Sequence, residues 1–126
     1  MKQIISTPNA PAPVGPYSQA NIATGRAIYV AGQVALDPAS RKPVQGGIEV
    51  QAARVFENIA AILQASGASL QDVVKVNVYL SDLANFATLN EVYRRYFASN
   101  YPARTTIQAV LPAGLLLEVD AVAYVE

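Results

Sequence analysis

Residues 102–110 read PARTTIQAV and residues 115–125 read LLLEVDAVAYV, two runs of strand-forming residues with Pro112, Ala113 and Gly114 as turn chemistry between them. One arginine and two acids sit inside these otherwise apolar runs, and where they point decides the fold. Successive side chains of a strand face opposite ways. Thr105, Ile107, Ala109 and Leu111 therefore share one face, and Arg104, Thr106, Gln108 and Val110 the other. The second run divides more sharply: Leu115, Leu117, Val119, Ala121, Ala123 and Val125 make an unbroken apolar row, with Leu116, Glu118, Asp120, Val122 and Tyr124 opposite. Joined as an antiparallel hairpin, the two runs take the register that gathers Arg104, Thr106, Gln108, Glu118 and Asp120 on one polar face. A single cation, two acids and small hydroxyls do not make an ordinary wet surface, which is rich in Lys and Glu. From the residues alone two readings stand: a structural ion pair of Arg104 with Glu118 or Asp120 at an interface, or an enclosed polar site.

Outward from this hairpin, Asp72 to Leu80 alternates Val74, Val76, Val78 and Leu80 against Val73, Lys75, Asn77 and Tyr79, a half-buried strand. A helix lies on each side of it. Ile48 to Ser66 places Ala52, Val55, Phe56, Ile59, Ile62 and Leu63 at helical spacing, with Gly67 as its stop. Ser81 or Asp82 caps a second helix whose buried stripe is Phe86, Leu89, Tyr93, Tyr96 and Phe97. Near the start, Ser18 to Thr24 and Ala27 to Leu36 flank Gly25-Arg26 as a further hairpin. The NAPAPVGP stretch before them is a loop, because proline cannot donate to a sheet ladder. The order ββαβαββ predicts a single α+β domain over residues 1–126, a sheet with both helices on one face and the other face free for partner subunits.

Composition limits the chemistry. The 126 residues are 52% hydrophobic and only 14% charged, so some apolar surface is expected to be covered by another subunit. Nine basic and nine acidic residues cancel without forming a stripe, which argues against nucleic acid or an anionic membrane as partner, and Arg94 and Arg95 read as a solvated helix face. No run is long enough to span a bilayer and the start lacks a signal-peptide core, so a cytoplasmic location is expected. With no Cys and no His there is no disulfide, no thiol nucleophile and no imidazole base, and no acidic cluster stands in as a metal site. Neither a metal nor an organic cofactor is expected.

GPYSQA at Gly15 to Ala20, YVAGQVALDP at Tyr29 to Pro38, VYLSDLANFATLNEVY at Val78 to Tyr93, and YPARTTIQAVLP followed by LEVDAVA resemble, in the same order and over nearly the whole chain, the RidA (YjgF) family. The resemblance implies a chorismate-mutase-like α+β domain, a homotrimer with active sites between subunits, and hydrolysis of 2-iminopropanoate and 2-iminobutanoate to 2-oxo acids and ammonia. It also implies Arg104 and Glu118 as catalytic residues, with Arg104, Tyr17, Gly32, Thr106 and Asn90 binding substrate. Two positions depart from the family pattern: Ala31 stands where many members have Ser, and Thr106 where many have Cys. The chemistry fits these residues. A planar guanidinium matches a substrate carboxylate, and Glu118 can hold a water and take its proton. Asp120 reads as a structural hydrogen-bond partner, and Gly32, outside the resemblance, reads as a bulge marker. Some relatives are described as ribonucleases, translation inhibitors or chaperone-like binders, which is the alternative class of function.

Overall fold

The strand with the clearest alternation lies inside the sheet. In the computed structural model, which describes all residues from Met1 to Glu126, Val76, Val78 and Leu80 are fully buried while Lys75, Asn77 and Tyr79 are only partly covered. This strand is β4 (Val73–Leu80); before it come β1 (Lys2–Ile5), β2 (Ala20–Ala23), β3 (Arg26–Gln33) and helix α1 (Ile48–Ala65). After it come helix α2 (Phe86–Phe97), β5 (Ala103–Gln108) and β6 (Leu117–Val125). The main sheet runs β3-β6-β4-β5, mixed in direction, and β1 with β2 forms a separate two-stranded ribbon. No helix is long and apolar enough to cross a membrane.

Local chemistry sets the helix ends. Glu49 in the first turn of α1 complements the helix dipole. At the other end Gly67 takes φ +79, and the Ala68 and Gly67 amides donate to the Leu63 and Gln64 carbonyls, closing the last turn in a glycine-dependent cap. The Asp82 side chain accepts from the Ala84 amide and caps a short 3-10 turn, Leu83–Asn85, that leads into α2. The buried stripe of α1 packs Ala52, Val55, Phe56, Ile59 and Leu63 on the sheet, whereas Ile62 is exposed. Phe56 meets the rings of Tyr93 and Phe97 edge-on at 5.7 and 5.8 Å. Truncating such a core aromatic costs about 3–5 kcal/mol, so Phe56→Ala is a change this small core would not tolerate well.

Both expected hairpins are absent. β2 pairs with β1, not with β3; the Asn21 amide donates to the Val74 carbonyl, and Ser18 bridges to Ala103, so this segment is drawn away from β3. Lys2–Ile5 is a strand that the proline-rich start concealed. At the other end, β6 is hydrogen-bonded to β3 on one side and to β4 on the other, both antiparallel. No edge of β6 remains for β5. The crossover through α2 instead delivers β5 parallel to the far edge of β4. The connection from β5 to β6 passes over the end of β4, where Ala109 donates to the Leu80 carbonyl and Ser81 to the Leu116 carbonyl.

This pairing divides the expected polar face. Across β4, Val76 stands beside Arg104 and Ala121, Val78 beside Thr106 and Val119, Asn77 beside Thr105 and Asp120, and Tyr79 beside Ile107 and Glu118. Arg104 and Thr106 therefore point to the helix-covered side with the buried valines. Glu118 and Asp120 point to the open side. The β6 apolar row is as expected, since Leu115, Leu117, Val119, Ala121 and Ala123 are all buried.

Candidate functional site

Arg104 enters the helix-covered side at β5, an edge strand, where it meets α2 rather than an acid. Its guanidinium carbon lies 4.8 Å from the Tyr93 ring centroid, 5.6 Å from Phe86 and 5.8 Å from Tyr17. Phe86, Asn90 and Tyr93 recur at positions i, i+4 and i+7 of α2, so one face of the helix presents all three. The loop carrying Tyr17 is fastened to the entry of β5: the Ser18 amide donates to the Pro102 carbonyl and the Ser18 hydroxyl to the Tyr101 carbonyl. The Tyr17 hydroxyl accepts from the Val14 amide, and a Cβ added at Gly15 would touch both the Tyr17 ring and the Asn90 amide nitrogen. Tyr17, Asn90 and Arg104 are thus neighbours, and Thr106 lies two residues along β5 on the face that carries Arg104.

What distinguishes this cluster is unused hydrogen-bonding capacity. Arg104 Nη1, Thr106 Oγ1, Asn90 Oδ1 and Tyr93 Oη are buried without a partner, four of the five such side-chain atoms in the chain. A native fold leaves few buried polar groups unpaired, and a cluster of them marks a place made for a ligand. Burial pulls the Arg104 guanidinium below its ordinary value, with the nearby Tyr93 and Tyr17 hydroxyls opposing and Arg94 adding to the decrease. Burial likewise pushes the Tyr93 hydroxyl well above the usual tyrosine range, so it remains a neutral donor. The only ion pair of the chain joins the N-terminal amino group to Glu126. A structural pair of Arg104 with Glu118 or Asp120, the first reading of the sequence, does not form within the chain.

Glu118 and Gly32 form a second cluster on the other side of the sheet. β3 slips by one residue against β6 between Val30 and Gln33, and Gly32 sits in that bulge. A Cβ at Gly32 would fall 2.2 Å from Glu118 Oε2. The glycine therefore makes room for the carboxylate as well as marking the bulge. Next to it, Asp120 is fully engaged: the Asn77 amide donates to one oxygen at 2.9 Å and the Tyr79 hydroxyl to the other at 3.1 Å. These are bonds to β4 rather than across a β5–β6 hairpin. The Asp120 hydrogen bond, with the negative charges of Asp120 and Glu118, raises the Tyr79 hydroxyl above its ordinary value.

The chain by itself does not bring the two clusters together. No concavity joins them; one of about 440 Å³ runs between β3 and α1, lined by Gly32 of the second cluster with Val34, Leu36, Arg41 and Ile62 among others. No group of three or more His, Cys, Asp or Glu side chains is placed to hold a metal ion. Sequence reasoning counted Phe86 and Tyr93 as core. Phe86 is 38% exposed beside Arg104, and Tyr93, although fully buried, carries an unpaired hydroxyl. Their i, i+4, i+7 spacing with Asn90 was the available signal.

The α+β fold, two helices with a mixed sheet, is the one that comparison with known proteins also finds. The family described as endoribonuclease L-PSP, which is the YjgF/RidA family, matches residues 7–125, and the chain belongs to it. A RutC family protein of Pyrococcus horikoshii is 50% identical, covering all of both chains. The human 2-iminobutanoate/2-iminopropanoate deaminase is 44% identical over 98% of this chain and 90% of its own. The crystal structure of RidA from an Antarctic Psychrobacter superposes with a TM-score of 0.76 at 46% identity, covering 98% of this chain and 99% of the other.

Proposed function

We propose that this protein hydrolyses 2-imino acids, 2-iminopropanoate and 2-iminobutanoate among them, to 2-oxo acids and ammonia. The observation that carries this reading is the half-buried Arg104 guanidinium, which has no acid of its own chain and belongs to a cluster in which Asn90 and Thr106 oxygens are also unpaired. A buried cation without a counter-charge is costly, and an incoming carboxylate removes that cost. The 44% identity to a protein named as such a deaminase supports the same substrate class.

Arg104 holds the substrate carboxylate edge-on, with Tyr17 closing over it. Glu118 holds a water, accepts its proton as the oxygen adds to the imine carbon and returns it to nitrogen, giving a carbinolamine; it then passes the hydroxyl proton to the amine, so that the C–N bond breaks and ammonia leaves as the carbonyl forms. Because Arg104 and Glu118 lie on opposite sides of one sheet, we propose that they meet between subunits of a homotrimer, with the open sheet face against a neighbour. Exposed Tyr29, at 76%, and Ile107, at 48%, lie on that face and favour its being covered.

The test is ammonia release from freshly generated 2-iminobutanoate with and without the protein, alongside light scattering. Acceleration by a trimer is expected. No acceleration sinks the deaminase reading, and a fully active monomer sinks the shared site. The family's description names an endoribonuclease, but the balanced charge argues against it, because affinity for RNA rests largely on phosphate contacts. RNA cleavage is expected to be absent from highly purified protein and indifferent to Arg104→Ala.

A further inference from the structure

Arg104 can match a planar carboxylate only if its guanidinium is held in one plane, yet none of the usual devices for holding it is present. Nη1 is buried with no hydrogen-bond partner, and no acid of the chain forms an ion pair with it. Three aromatic rings stand around it. Two of the three are less enclosed: Tyr17 is only partly buried in its loop, and Phe86 is 38% exposed at the start of α2. The third is different. Tyr93 is 0% exposed, it is the nearest ring at 4.8 Å, and it stacks on Phe97 at 4.4 Å with 23° between planes. Phe56 of α1 braces both rings from their edges.

We infer that Tyr93 is the positioning residue of Arg104: the face of its ring, fixed by Phe97 and Phe56, sets the plane in which the guanidinium meets the substrate carboxylate. This rests on the deaminase reading for its kinetic consequence, though not for the contact itself. A guanidinium over an aromatic face is attracted by the ring quadrupole, more strongly where water is excluded, and stacking fixes its plane as well as its place. The role belongs to the ring, so the unpaired hydroxyl is not required for it.

Three replacements at position 93 test this. Tyr93→Phe keeps the face and should leave the Arg104 Nε–H resonance at its parent position, whereas Tyr93→Leu removes the face and should raise KM by about 10-fold over that of Tyr93→Phe, with kcat changed much less. Because Tyr93→Leu also opens the core, pentafluorophenylalanine at 93 supplies the stricter case, keeping ring shape and melting temperature while reversing the quadrupole. It should behave like Leu in KM. The second readout is the Arg104 Nε–H resonance, which the rings shift in the parent and which should move toward the free-arginine position in the Leu and pentafluoro proteins. If Phe and pentafluorophenylalanine give the same KM and the same Arg104 resonance, the inference is overturned. If the resonance responds as expected while no protein, parent included, hydrolyses the imine, the deaminase reading falls and the positioning role stands.

Discussion

The two sides of the sheet treat polar groups in opposite ways. On the open side both oxygens of Asp120 are taken up, by Asn77 and Tyr79, and the carboxylate has become part of the architecture. Under α2, Arg104, Thr106, Asn90 and Tyr93 each keep a buried polar atom unpaired. Satisfied groups hold strands in register, while unsatisfied ones carry a cost that a ligand can relieve. Glu118 lies between these cases, on the structural side of the sheet yet given its room by Gly32.

Arg104→Lys probes the unpaired side most severely. It keeps the charge and loses the fork, so a charge-assisted contact of about 1.5–3 kcal/mol should disappear and kcat/KM should fall roughly 10- to 100-fold. Since no acid of the chain is left stranded, the melting temperature should hold. A variant that melts early but turns over normally once folded would reverse the comparison. Asp120→Ala should do the opposite. It leaves the Asn77 and Tyr79 donors without their acceptor, costing about 1–3 kcal/mol of stability in a denaturant titration, while the folded fraction keeps its turnover. Loss of activity without loss of stability would make Asp120 part of the chemistry.

Gly32→Ala sharpens the intermediate case. The three atoms nearest the new methyl all belong to the Glu118 side chain and none to the backbone, so the fold should survive, but displacing that side chain should lower kcat about 10-fold. Unchanged kcat would remove Glu118 from the reaction. The smallest effect is expected of Thr106→Val. Its hydroxyl has no partner to lose, so stability should change by less than about 1 kcal/mol, and a measurable part of the rate should remain. Trapping a covalent adduct on Thr106 during turnover would overturn this.

Much of the fold was legible because periodicity is local. The apolar spacing of Ala52 to Leu63 and the stop at Gly67 define α1 in the sequence, and the alternation of Val76, Val78 and Leu80 defines β4. Pairing is not local. The alternation of residues 102–111 divides Arg104 from Thr105 correctly, but it cannot say which of those rows faces the helices, because that depends on the neighbouring strand. Assuming a hairpin with β6 placed Arg104 beside Glu118; β4, lying between β5 and β6, sends them to opposite sides. Tyr93 was hidden for another reason. A buried tyrosine on a helix stripe looks the same whether its hydroxyl is paired or not.

The position of β6 bears on how the chain acquires its structure. It fills the middle of the four-stranded sheet, yet it comes last of the strands in chain order. Arg26 pairs with Val125, nearly the whole chain apart. Until β6 arrives, β3 has no strand beside it and β4 has one bare edge, and the apolar surfaces of α1 and β4 lack the Leu117 to Ala123 row that covers them. Contacts so distant in sequence close slowly, and bare strand edges pair readily with other chains. The sheet is therefore completed only when β6 joins it, and exposure to aggregation is greatest in the interval just before that strand slides into place.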